Sequence, residues 1–241
     1  MGNDMSSRLA AAAPAEVDRL GPQERERYEL HAERLIERVS WEGTRDFPVD
    51  ESMIAIVAAH AALLAAGFEP RTDPFRHVTS VVIHPNTIVS TEVRPGPVHG
   101  VVIDGPDYRA GQAGHGRGPI LFDWRTVRRD VADPIGGVNV VYHEFAHKLD
   151  GLDGVIDGMP PLPDSRARAD WEQTFGTNFR RLKRRGSDPV VRIYAATSPA
   201  EYFAVTTELL FTRPLDLRGH LPRVYDQLSM FYNQDPAGRR R

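Results

Sequence analysis

The 241-residue chain contains no cysteine, which excludes disulfides, thiolate zinc sites and cysteine nucleophiles. Nor does it contain a continuous apolar run near the 18 residues that a membrane-spanning helix requires. Residues 1–13 carry neither the basic nor the apolar stretch of a secretory leader, so a soluble, cytoplasmic protein with no membrane partner is expected. The formal net charge of −3 is close to neutral for this length. It makes no electrostatic case for direct nucleic-acid binding, which normally shows as a strongly basic domain. No internal repeat is visible, and the glycine-rich 111–118 lacks the Lys-Ser/Thr ending of a phosphate loop. Any zinc must therefore be held by histidine and carboxylate.

What the chain does contain is His143-Glu144-Phe145-Ala146-His147, a complete HExxH. Histidines four apart share one face of a helix, with Cβ atoms about 5–6 Å apart, and can offer nitrogens to one Zn²⁺. Glu144 then sits beside the metal, suited to take a proton from water whose pKa zinc lowers to about 7. Val138, Val140, Val141, Tyr142, Phe145, Ala146 and Leu149 make the surrounding helix apolar. Two imidazoles and a carboxylate are costly in such a setting unless something satisfies them.

Alanine-rich 1–19 is expected as a flexible N-terminal lead-in, 20–236 as a single domain, and 237–241 as a frayed basic tail. Helical spacing predicts helices over 22–39, 50–67 with Asp50 as cap, 137–150, 199–211 and 221–232. Another is marked by Trp171, Phe175, Phe179 and Leu182, and its end carries Arg180, Arg181, Lys183, Arg184 and Arg185. That charge run reads as a solvated face, with docking of an acidic partner as the alternative. Short β-type runs occupy 77–83, 87–93, 98–104 and 120–124. Asp153 and Asp157 lie in a segment without EF-hand spacing, so plain turns are expected there. The strands precede the HExxH helix and are outnumbered by helices. The expected class is α+β: a mainly helical domain with a small antiparallel sheet packed beside the HExxH helix.

A catalytic zinc site needs a third protein ligand. His220 is the sole histidine after the motif, and it lies between Gly219 and a proline-containing segment, a poor rigid support. Glu201 and Glu208 are seven apart, on roughly one face of the helix that starts near Pro199. Glu201 completes a Ser198-Pro199-Ala200-Glu201 capping box and could serve only its own helix start. Glu208 could instead orient a zinc histidine. The residues alone favour Glu201 only slightly.

The segment His143-Glu144-Phe145-Ala146-His147-Lys148-Leu149-Asp150 and the run from Tyr194 to Val205 strongly resemble the Mlc titration factor A family of zinc-dependent peptidases. Gly118 to Trp124 and Phe231 to Pro236 are similar to the same family, so the likeness extends over about 20–236. The resemblance implies a zincin-like, gluzincin-like metallopeptidase with one Zn²⁺ per chain, held by His143, His147 and Glu201. It implies Glu144 as general base and Tyr194 at the active site, where a phenol can donate to an oxyanion. The family's zinc core is similar to that of the anthrax lethal factor catalytic domain. Aminopeptidase-type action on a peptide substrate is also implied, although no Gly-x-Met-Glu-Asn segment is present. A different role is implied as the alternative: family members sequester a transcriptional repressor of sugar uptake genes. The 120–124 run is read either as an edge strand that pairs with an extended peptide or as an ordinary core strand.

Overall fold

The computed structural model describes residues 2–44, 47–85 and 118–239. In chain order its elements are α1 (Gly2–Ala12), α2 (Pro22–Arg38), β1 (Ser40–Gly43), α3 (Glu51–Ala65), β2 (Ser80–His84), β3 (Ile120–Asp123), α4 (Trp124–Ala132), α5 (Val140–Asp150), α6 (Ser165–Trp171), α7 (Thr177–Arg185), α8 (Pro199–Thr212), α9 (Pro214–His220) and α10 (Pro222–Tyr232). The β-type runs at 87–93 and 98–104, and all but the last residue of 111–118, lie outside the described residues.

α3 begins at Asp50, whose side chain accepts from the Met53 amide. Its alanines, Leu63 and Leu64 are buried on every side, so it forms the middle of the core with α1, α2 and α5 packed around it. The 1–19 stretch carries α1 and a 3-10 turn over Ala15–Arg19, and contributes Leu9 and Val17 to that core. Against the α5 side, Phe75 packs edge-on to Phe145 at 4.8 Å between ring centroids.

The sheet corrects one expectation. Its three strands run in the order β1-β2-β3, and both pairings are parallel, with Ser40 opposite Ser80 and Val81 opposite Ile120. The small sheet is therefore parallel, not antiparallel. β1 was not anticipated, because Ser-Trp-Glu-Gly is short and mostly exposed; with it in place, α3 becomes the crossover that parallel strands need. β3 also ends one residue before Trp124. The Asp123 carboxylate accepts from the Arg125 amide and the Thr126 hydroxyl, which starts α4 at Trp124.

The helix predicted around Trp171 is interrupted by a π turn over Glu172–Gly176 between α6 and α7. Trp171 and Phe175 stack at 3.9 Å and lean on Phe203 of α8. Among the described residues no helix is long and apolar enough to cross a membrane.

Candidate metal centre

α5 owes its start to Asn139, whose side chain accepts from the Val141 and Tyr142 amides. The helix then buries His143 and Glu144 and leaves His147 partly covered. The Nε2 atoms of His143 and His147 lie 3.2 Å apart. Glu201 comes from the first turn of α8, where its amide donates to the Ser198 hydroxyl at 3.2 Å. Its carboxylate does something else. Oε2 lies 3.0 Å from His143 Nε2, and Oε1 lies 3.5 Å from His147 Nε2. One ligand atom from each of the three residues can be chosen so that all lie within 4.8 Å of one another.

Glu208 sits on the other side of the same histidine. Its Oε1 is 2.7 Å from His143 Nδ1, and its Oε2 accepts from the Asn139 amide at 2.7 Å. Arg192 closes the set with Nη1 to Oε2 at 2.9 Å and Nη2 to Oε1 at 2.6 Å. The seven-residue spacing thus separates the two glutamates by ring nitrogen: Glu201 meets Nε2, and Glu208 meets Nδ1. A carboxylate on Nδ1 makes that nitrogen the donor and leaves Nε2 free to ligate.

The charges agree with a site built for a cation. Burial lowers the His143 pKa, but Glu201 and Glu208 outweigh burial and lift it to about 10. For Glu201, burial acts upward and is overcome by the facing imidazoles of His143 and His147, which hold the carboxyl well below its usual range. Glu201 Oε2 is buried without an aligned hydrogen bond despite its closeness to His143. A divalent metal would displace the imidazole proton, satisfy that oxygen and give all three ligand atoms one partner. The residues present therefore fit zinc by number, type and convergence. Glu144 is held differently, its pKa raised chiefly by burial and opposed by His143 and His147.

Tyr194 lies in a 3-10 turn over Ile193–Ala196, with its ring centroid 6.0 Å from that of His143. It is 37% exposed. Its phenol is pushed above the ordinary range, first by burial and then by the charges of Glu201 and Glu144. A hydrogen bond to the Glu201 carboxylate acts in the same direction, so the phenol stays protonated and its hydroxyl is directed to the metal-site carboxylate. Beyond α5, Asp150 is fully buried and accepts from the Gly158 amide at 2.8 Å. Its other oxygen and His147 Nδ1 are both buried without a partner. Arg192, Asn139 and Asp150 were not anticipated from the sequence, since nothing local to any of them indicates what it touches across the fold.

All five anticipated residues are thus gathered around one point: His143, Glu144 and His147 on α5, Glu201 on α8, and Tyr194 in the turn before α8. Comparison with known proteins places the chain in a family. An uncharacterized protein of Synechocystis is 28% identical over 220 residues, covering 90% of this chain and 79% of its own length. A protein of Edwardsiella ictaluri named Mlc titration factor A is 33% identical over 230 residues, covering 91% of this chain and 84% of the relative. Its namesake in Serratia proteamaculans is 38% identical over 146 residues, 58% of this chain and 54% of the relative. A family model described as glucose-regulated metallo-peptidase M90 matches residues 3–233. Spanning nearly the whole length, that match bears out the resemblance to Mlc titration factor A and means that the chain belongs to the M90 metallopeptidase family.

Proposed function

We propose that this chain is a cytoplasmic zinc peptidase, aminopeptidase-type in its action, with His143, His147 and Glu201 as the ligands of one Zn²⁺. The observation that carries the reading is the convergence of one ligand atom from each of three residues within 4.8 Å, beside a buried Glu201 oxygen with no aligned hydrogen bond. Zinc, when bound, supplies a Lewis acid and brings the pKa of water down to about 7. Glu144 takes the proton of the attacking water and returns it to the leaving amine nitrogen. Tyr194 donates its hydroxyl hydrogen to the carbonyl oxygen as negative charge gathers there. Glu208 keeps His143 in the tautomer that presents Nε2. β3 has a single neighbour, β2, among the described residues, which leaves an edge on which an extended peptide can pair main chain to main chain.

Glu144→Gln tests the chemistry. It should keep fold and zinc yet lose peptide hydrolysis by a factor of about 10² or more, because an amide cannot accept the proton. Full activity in that variant overturns the mechanism. A second reading is favoured by the relatives' name, Mlc titration factor A: the chain sequesters a transcriptional repressor, and hydrolysis is secondary. Glu144→Gln should then still capture the repressor in a binding assay.

A further inference from the structure

Glu208 is fully buried, and each of its oxygens has two partners. Oε1 meets His143 Nδ1 and Arg192 Nη2, while Oε2 meets the Asn139 amide and Arg192 Nη1. Arg192 is the one formal positive charge in that set once His143 is neutral, as a metal ligand must be. Without it a buried carboxylate would face only an imidazole and an amide, an uncompensated charge of the costly kind. The two-pronged contact also fixes the plane of the carboxylate, which a single ammonium contact does not.

The same guanidinium has a second neighbour. Its Cζ lies 5.6 Å from the centroid of the Tyr194 ring, within cation–π range. Arg192 immediately precedes the 3-10 turn that carries Tyr194, so its ion pair with α8 pins that turn to the helix that also carries Glu201.

From this geometry we infer that Arg192 is a positioning residue serving both sides of the reaction centre, holding His143 through Glu208 and seating Tyr194 through its ring. The inference deepens the peptidase reading and rests on it. Metal affinity and turnover are therefore coupled through one side chain that touches neither metal nor substrate.

The test uses the full chain with Zn²⁺ as probe, its Kd measured by competition with a chromophoric chelator. Steady-state kinetics on a fluorogenic peptide run alongside. Arg192→Gln should weaken zinc binding about 10–100-fold, the scale of losing an outer partner of a ligand histidine. The double variant Arg192→Gln/Glu208→Gln should bind no more weakly than Glu208→Gln alone, because the two act in series. Arg192→Lys keeps the charge beside Glu208 but not the two-pronged contact, and should recover zinc affinity only in part. Its kcat should stay low with KM unchanged, since an ammonium lays no planar face over the Tyr194 ring. Wild-type zinc affinity in folded Arg192→Gln, or additive losses in the double variant, overturns the inference alone. If Arg192→Gln does not fold, Arg192→Lys decides, and wild-type kcat there overturns it. Failure of the unsubstituted chain to bind Zn²⁺ overturns the peptidase reading, and the inference with it.

Discussion

Glu201 plays two parts at the first turn of α8. Its amide is capped by Ser198 while its carboxylate faces two imidazoles, so only the Ser198 half of the capping box forms and the carboxylate is left to the metal site. Sequence spacing could nominate Glu201 and Glu208 together, because seven residues return a helix to one face. What separates them is which nitrogen of His143 each one reaches, and that depends on how α8 lies across α5. The role proposed for Tyr194 exists only once charge has formed on the carbonyl oxygen. Tyr194→Phe keeps the ring over Arg192 but removes the donor, so kcat should fall about 10²–10³-fold with zinc content and KM nearly unchanged. A fall below about threefold in steady-state assays assigns the ring to packing. A different residue contributes to acid stability. His60 on α3 is buried, and burial holds its pKa down at about 4, opposed by its bond to the Ile56 carbonyl. Between about 6.5 and 4 the unfolded chain binds a proton that the folded chain does not, so stability drops as pH falls through that window. The loss is at most about 3 kcal/mol. In denaturant titrations at pH 7 and pH 4.5, His60→Gln should lose less stability between the two than the unsubstituted chain; an equal loss would show that His60 contributes nothing.

At the scale of elements, α5 was legible because HExxH combines with an apolar surround, and α8 because Ser198-Pro199 announces its start. The parallel sheet was not legible. β1 is four residues long and mostly exposed, so no alternation marks it, and without β1 the crossover role of α3 has no visible purpose. α9 was equally silent, a seven-residue helix opened by Pro214 directly after α8. The relation of α5 to α8 depends in part on Gly158. Its amide donates to Asp150 at the end of α5, its carbonyl accepts from Trp171 Nε1 at 2.9 Å, and its φ is +83°. An added Cβ would run into the Pro199 carbonyl at the start of α8. Gly158→Ala should therefore destabilise the fold by more than about 1 kcal/mol in urea unfolding, and weaken zinc binding by shifting Glu201. Wild-type stability in that variant would mean that the α8 start moves freely.

Across the whole molecule, distant parts of the chain close on the same core. Gln234 Nε2 donates to the Leu63 carbonyl at 2.9 Å and Asn233 to the Gly67 carbonyl at 3.0 Å, tying the segment after α10 to the end of α3. Arg239, within the stretch expected as a frayed tail, donates to Glu24 of α2 at 2.9 Å and to Gln234 at 2.7 Å. Zinc held between α5 and α8 should stabilise this assembly by mass action, by about 2.7 kcal/mol at a free concentration of 100 times Kd. Thermal unfolding should then shift upward by about 5–10 °C with zinc and return with a chelator; an unmoved transition would show that zinc does not bind the folded chain in preference to the unfolded one. The central claim is that two helices supply one three-ligand zinc site, and elemental analysis of the purified chain tests it most directly. The account predicts one zinc per chain in the unsubstituted protein and in Glu144→Gln, and almost none in Glu201→Ala. A full equivalent of zinc retained by folded Glu201→Ala would contradict it.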